Sequence, residues 1–228
     1  MKLKRDYRDE WGIDMRKGII FDMDGTLWDS AENVAKAWNK VLGQYGFGEY
    51  SVTADDMYRV MGKTMDDIAD ELFPFVEGEE RAELLEACCI VENDYLAENG
   101  ANIYPDVEKT WWRLLDMEYD LFIVSNCQAG YIEAFLKYYK LDEIVEDYIC
   151  FGDNGLKKAD NIREICKRNR LDAAVYVGDI QSDCDATHEA GLPFIHATYG
   201  FGKVEDAEAE ISSLDELPLM IDSIFEML

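Results

Sequence analysis

The sequence predicts a doubly wound α/β fold, a mostly parallel sheet with helices on both faces, and a second, helical domain inserted early in the chain. Three observations predict it. Short β-rich runs alternate with amphipathic stretches of helical period. Those runs are apolar almost throughout, as strands covered on both faces must be. The first and second runs are separated by about a hundred residues, too many for a plain crossover, so that stretch must hold structure of its own.

Taken in chain order, residues 18–22 (GIIFD) form the first strand. Residues 30–45 begin with an N-cap serine and put Val34, Ala37, Trp38, Val41 and Leu42 on one helical face. Residues 81–96 repeat the pattern with Leu84, Leu85, Cys88 and Val91. The inserted helical domain is therefore placed at 30–102, with linkers near 27–29 and 102–105. The α/β core takes 18–29 and 103–228, and 1–17 is an N-terminal extension. Trp111 and Trp112 open a helix, one facing the core and the other an interface. Further strands are expected at 120–125, 148–151, 173–177 and 193–197, and helices at 130–139, 159–170, 182–190 and 213–227. Gly191 stops the third of these helices, Pro218 suits the first turn of the fourth, and the acidic run 205–210 reads as a solvated loop.

Composition narrows the function. The 228 residues are 48% hydrophobic, enough for a sizeable core, and 49 acidic against 22 basic residues give a formal charge of −27. Binding to nucleic acid or an anionic membrane depends on Lys and Arg meeting phosphate, so neither is an expected partner. Six cysteines, Cys88, Cys89, Cys127, Cys150, Cys166 and Cys184, include no CxxC pair and no zinc spacing, and read as reduced thiols. No apolar run approaches the roughly 18 residues of a membrane span, and a cytoplasmic location is expected.

The chemistry gathers at strand ends. Asp22-Met23-Asp24-Gly25-Thr26 closes the first strand, where open parallel sheets place their ligands. Ser125-Asn126 closes the second, Lys158 follows the third, and Asp179 and Asp183 follow the fourth in GDIQSD. Asp-Gly alone is a common turn, but turn chemistry gives no reason for a cation after the third strand and carboxylates after the first and fourth. Lys157 and Lys158 are adjacent. Lys158 is preferred because it directly precedes a helical stretch.

These four motifs, in this order, resemble those of the haloacid dehalogenase-like (HAD) phosphohydrolases. The long helical insertion after the first motif is similar to the helical cap of the subgroup that includes phosphoglycolate phosphatase and β-phosphoglucomutase. The resemblance implies a Rossmann-like core and a Mg2+ ion held by the Asp22 carboxylate, the Asp24 backbone carbonyl and Asp179, with Asp183 as an auxiliary or outer ligand. It makes Asp22 the nucleophile of an aspartyl-phosphate intermediate and Asp24 the general acid and base. Ser125, Asn126 and Lys158 would hold the phosphate, helped by the backbone N–H groups of Met23 and Asp24. Ala159 stands where the family often has proline. Asp24 argues against dehalogenation, which needs only the nucleophile.

The resulting expectation is a phosphatase for a small phosphorylated metabolite, a monomer or small homo-oligomer. A phosphotransferase or phosphoglucomutase-type enzyme with the same nucleophile is the alternative within the family. A receiver-like phospho-aspartate module or a non-catalytic binding protein is the alternative outside it. Substrate choice is assigned to the cap, whose Arg59 and Lys63 flank a helix break at Met61-Gly62 and are candidate substrate contacts. His188 and His196 are read as structural, and Cys127 and Cys184 as thiols close to the site.

Overall fold

A computed structural model describes residues 15–227; residues 1–14 of the expected N-terminal extension, and Leu228, lie outside the described residues. Strand β1 (Lys17–Phe21) leads through a tight turn into the short β2 (Trp28–Asp29). Helices α1 (Ala31–Gln44), α2 (Ala54–Val60), α3 (Met65–Leu72) and α4 (Gly78–Asn99) follow, and β3 (Asn102–Ile103) brings the chain back. Next come α5 (Val107–Asp116), β4 (Asp120–Ser125), α6 (Tyr131–Tyr139), β5 (Asp147–Cys150) and α7 (Phe151–Asn154). The remainder is α8 (Lys158–Asn169), β6 (Ala173–Gly178), α9 (Gln181–Ala190), β7 (Phe194–Ala197), β8 (Ala209–Ile211), a 3-10 turn at Leu214–Glu216 and α10 (Leu217–Phe225).

Among the described residues the main sheet has the order β5–β4–β1–β6–β7–β8, and every pairing in it is parallel. Strand order reverses at β1, whose two neighbours are β4 and β6. That reversal opens a crevice beyond the carboxyl end of β1, where Asp22 begins the loop. Alternation along β1 feeds two cores. Ile19 and Phe21 join one apolar cluster, and Ile20 joins Phe122, Val124 and Tyr176 on the opposite face. The first cluster runs on without a break into the helical segment through Trp38, Val41, Leu84 and Cys88.

Several sequence expectations are corrected. A sixth strand, β8, pairs with β7 inside the stretch expected to end in a solvated acidic loop. Only Ile211 of its three residues is buried, so an edge strand with one apolar anchor carries almost no apolar signal. Both expected linkers are ordered, because β2 and β3 pair antiparallel, with Trp28 opposite Ile103. Trp28 is fully buried and packs edge-on against Tyr131 and Phe135 of α6, at 5.4 and 5.0 Å between ring centres. Phe151, expected at the end of a strand, instead starts α7. Trp111 lies in the core and Trp112 is exposed. All six cysteines are free thiols.

Candidate active site

Four strand ends supply the site. The backbone N–H of Asp22 still belongs to the sheet, donating to the Val177 carbonyl at 2.9 Å. Immediately afterwards the chain turns on itself, with the N–H groups of Thr26 and Leu27 both donating to the Met23 carbonyl. Gly25 makes this turn possible. Its φ is +85°, and a Cβ there would lie 2.0 Å from Asp179 Oδ2, so any side chain would be both strained and in collision.

Lys158 ties the strand ends together. Its ammonium donates to Asp22 Oδ1 at 2.8 Å and to Asp183 Oδ1 at 2.6 Å, and all three residues are buried. Helix phase separates the adjacent lysines: Lys158 is the first residue of α8 and turns inward, while Lys157 is the extended, exposed residue before it. Burial opposes the Lys158 charge, but Asp183 and Asp22 outweigh it and hold its pKa well above the usual lysine range. Oxygens of Asp22, Asp179 and Asp183 all lie within 4.8 Å of one another. Burial, and then repulsion among these carboxylates, pushes Asp179 and Asp183 above the ordinary carboxylate range. Three buried carboxylates against one ammonium form an all-oxygen set with charge to spare, which fits a hard divalent cation such as Mg2+.

The rest of the network holds these groups in place. Asp179 accepts from the Phe201 N–H at 2.7 Å and from Thr26 Oγ1 at 3.3 Å. Asp183 Oδ2 faces the N–H groups of Asp179 and Ile180, both at 3.4 Å. The Tyr176 hydroxyl donates to the Val124 carbonyl at 2.6 Å beneath the Lys158 ammonium.

Asp24 belongs to a separate network. Its Oδ1 accepts from Ser30 Oγ at 2.6 Å and from the Tyr131 hydroxyl at 2.7 Å, and those two hydroxyls are themselves 2.7 Å apart. Burial pushes the Asp24 carboxyl up to about 7, against the opposing effect of these two hydrogen bonds. A carboxyl in this state can hold or release a proton near neutrality. Ser30 therefore differs from its expected role. It stands at the N-cap position of α1 in a helical conformation, without a capping hydrogen bond, because its hydroxyl is spent on Asp24. Neither Ser30 nor Tyr131 could have been assigned to Asp24 from a local motif, and Tyr131 is 107 positions away.

The strand ends and the helical segment enclose a cavity between them. Asp22, Asp24, Ser125 and Asn126 line one side, and α1 to α4 with the α2–α3 loop line the other. Inside it, the space open to the centre of a water-sized sphere is about 40 Å³, room for a few waters. The α2–α3 loop closes over the strand ends: Asn126 Nδ2 donates to the Gly62 carbonyl at 2.9 Å, and Tyr58 packs against Phe201 at 5.2 Å. Gly62 has φ +82°, and a Cβ there would lie 2.4 Å from Ile180 Cδ1, so glycine permits both the turn and the approach. Of the two flanking cations, Lys63 lines the cavity with its ammonium on Glu71, whereas Arg59 is exposed on α2, paired with Asp56, and does not line it.

Residues 19–197 match the family model described as haloacid dehalogenase-like hydrolase. The phosphoglycolate phosphatase of Aliivibrio fischeri is 26% identical over 219 residues, covering 90% of this chain and 95% of that one. A predicted phosphatase from Clostridium acetobutylicum superposes with a TM-score of 0.74 at 23% identity, covering 92% of this chain and 99% of that one. CbbY from Rhodobacter sphaeroides, solved in complex with xylulose-(1,5)bisphosphate, superposes with a TM-score of 0.73 at 19% identity, covering 89% and 96%. The two structural likenesses carry the fold.

Proposed function

Because the chain belongs to the haloacid dehalogenase-like hydrolase family, we propose that it is a Mg2+-dependent phosphatase that cleaves a small phosphomonoester through an aspartyl-phosphate on Asp22. The observation that carries this reading is the Lys158 ammonium bridging Asp22 and Asp183 at the strand ends, with Asp179 beside them. Asp22, Asp179 and the Asp24 carbonyl would hold the ion, with Asp183 alongside. When bound, it supplies positive charge that offsets the repulsion between an anionic nucleophile and an anionic phosphate.

In the proposed reaction an Asp22 carboxylate oxygen forms a bond to phosphorus, and the bond from phosphorus to the leaving oxygen breaks. Asp24 gives its proton to that oxygen. Water then attacks the phosphorus of the aspartyl-phosphate and Asp24 takes up the water's proton. The P–O bond to Asp22 breaks, and inorganic phosphate departs. Lys158, the Ser125 hydroxyl, the Asn126 amide and the backbone N–H groups of Met23 and Asp24 steady the phosphoryl oxygens. Ser30 and Tyr131 fix the direction of the Asp24 carboxyl.

The helical segment acts as a cap, with 30–102 as its proposed limits. Its closed cavity favours small substrates, and opening about the β2–β3 ribbon would admit them. No helix of the described residues is long and apolar enough to cross a membrane. The test is a screen of small phosphomonoesters, with p-nitrophenyl phosphate as a general reporter, run with Mg2+ and again with a chelator. Mg2+-dependent phosphate release is expected. Equal release in excess chelator, or release only from folded phosphoproteins, would contradict the reading.

A further inference from the structure

The cavity changes character with distance from Asp22. Beyond the strand ends its wall is apolar, made by Val34, Met57, Val60, Met61, Met65 and Ile68. One buried carboxyl interrupts this wall. Glu92 of α4 is buried, accepts from Gln128 Nε2 at 3.0 Å through Oε1, and accepts from the Trp38 indole N–H through Oε2. These two bonds fix the carboxyl but use only about half of its acceptor capacity.

Among the described residues the lining holds three carboxyl groups, Asp22, Asp24 and Glu92, and a single cation, Lys63. That cation is 41% exposed and already carries Glu71. No buried cation of the lining therefore faces Glu92. An ester whose phosphoryl group meets Asp22 would share the cavity with the apolar side chains and Glu92 that line it.

On the reading that Asp22 receives the phosphoryl group, we propose that this enzyme selects phosphomonoesters whose leaving group presents a hydroxyl or ammonium donor to Glu92 and carries no second anionic group. The donor completes the acceptor capacity of a carboxyl that is otherwise held only by Trp38 and Gln128. A second anion would lose its hydration against Val60, Met65 and Ile68 and face the acceptor oxygens of Glu92 with no buried counter-ion. This separates the chain from the substrate in its relatives' names, because phosphoglycolate carries a carboxylate on its leaving group.

The experiment compares kcat/KM for 2-hydroxyethyl phosphate and phosphoethanolamine with that for phosphoglycolate, which has the same two-carbon reach, with p-nitrophenyl phosphate as the reporter of chemistry. One donor-bearing ester is expected to exceed phosphoglycolate by roughly a hundredfold. In Glu92→Gln, which replaces the carboxyl by an amide of the same shape, that ratio should fall by about tenfold or more. Turnover of p-nitrophenyl phosphate with phosphoglycolate equal to or better than both donor-bearing esters overturns this inference and leaves the phosphatase reading standing. An unchanged ratio in a folded Glu92→Gln protein overturns the role of Glu92. If that variant does not fold, the wild-type ratio decides alone. No turnover of any ester overturns the phosphatase reading itself, and this inference with it.

Discussion

The strand ends and the helical segment face each other across one cavity and are built by opposite rules. On the sheet side, charge is concentrated: Asp22, Lys158, Asp179 and Asp183 contact one another in a buried cluster. On the helical side the wall is apolar around a single buried carboxyl, Glu92. The sheet side is positioned by backbone geometry, because strand order and the Gly25 turn determine where each side chain emerges. The helical side is positioned by packing between helices remote in sequence, as when Trp38 of α1 donates to Glu92 of α4. The difference suits the proposed division of labour, in which the strand ends perform the chemistry and the helical wall chooses the substrate.

The largest expected effect lies on the sheet side. Asp22→Asn should lower kcat/KM for p-nitrophenyl phosphate by about four orders of magnitude or more, with far-UV circular dichroism unchanged. Near-wild-type turnover would remove the chemistry from the strand ends and break the comparison. Next in size is Asp24→Asn, expected to cost roughly two to four orders of magnitude in kcat while Mg2+ affinity, measured by calorimetry, stays the same. Loss of metal binding with unimpaired chemistry would show that the Asp24 side chain serves the ion instead.

A smaller effect probes the helical side through pH. Burial raises Glu92 from 4.5 to about 7. Between those values the unfolded chain has lost this proton while the folded one keeps it, so this group's contribution to stability falls as pH rises through the window. Below 4.5 both states are protonated, and above about 7 both are ionised, so the contribution is flat on either side. Thermal midpoints measured from pH 4.5 to 7 should therefore move in favour of Glu92→Gln relative to wild type, whatever the variant's constant offset. Parallel curves would mean that Glu92 is charged throughout and better solvated than its surroundings imply. The smallest effect is expected for Arg59→Ala, within about twofold in kcat/KM, because an exposed pair such as Arg59–Asp56 contributes little.

The same contrast explains what could be read from the sequence. Asp22, Ser125 and Asp179 were legible because each stands at the end of an apolar run, and parallel strands deliver their final residues to one edge; Asp24 follows in the turn, and Lys158 was legible as a lysine at the start of the helix after the third expected strand. Lys158 was preferred to Lys157 for its place before a helical stretch, and the phase of α8 turns Lys158 inward and leaves Lys157 exposed. Ser30 resembled an ordinary helix cap, since nothing local reveals that its hydroxyl is committed to Asp24 and Tyr131. Arg59 and Lys63 looked equivalent on either side of Met61-Gly62, but the positive φ of Gly62 turns the chain between them and only Lys63 reaches the cavity. Glu92 falls on the stripe of α4 that also buries Leu84, Cys88 and Leu96, but an acidic residue in an acidic helix resembles solvated surface, and its burial depends on α1 and Gln128 packing over it. Strand β8 was hidden in the same way by the acidic residues around Ile211.

In the proposed reaction the phosphoryl group passes through Asp22. Borohydride added during turnover reduces an acyl phosphate to an alcohol, which would convert the modified aspartate to homoserine in the peptide that contains it. Mass spectrometry of protein quenched during hydrolysis of p-nitrophenyl phosphate should find homoserine at position 22, dependent on substrate and absent from Asp22→Asn. Homoserine at position 24 or elsewhere, or none at position 22 while phosphate is being released, would contradict the account.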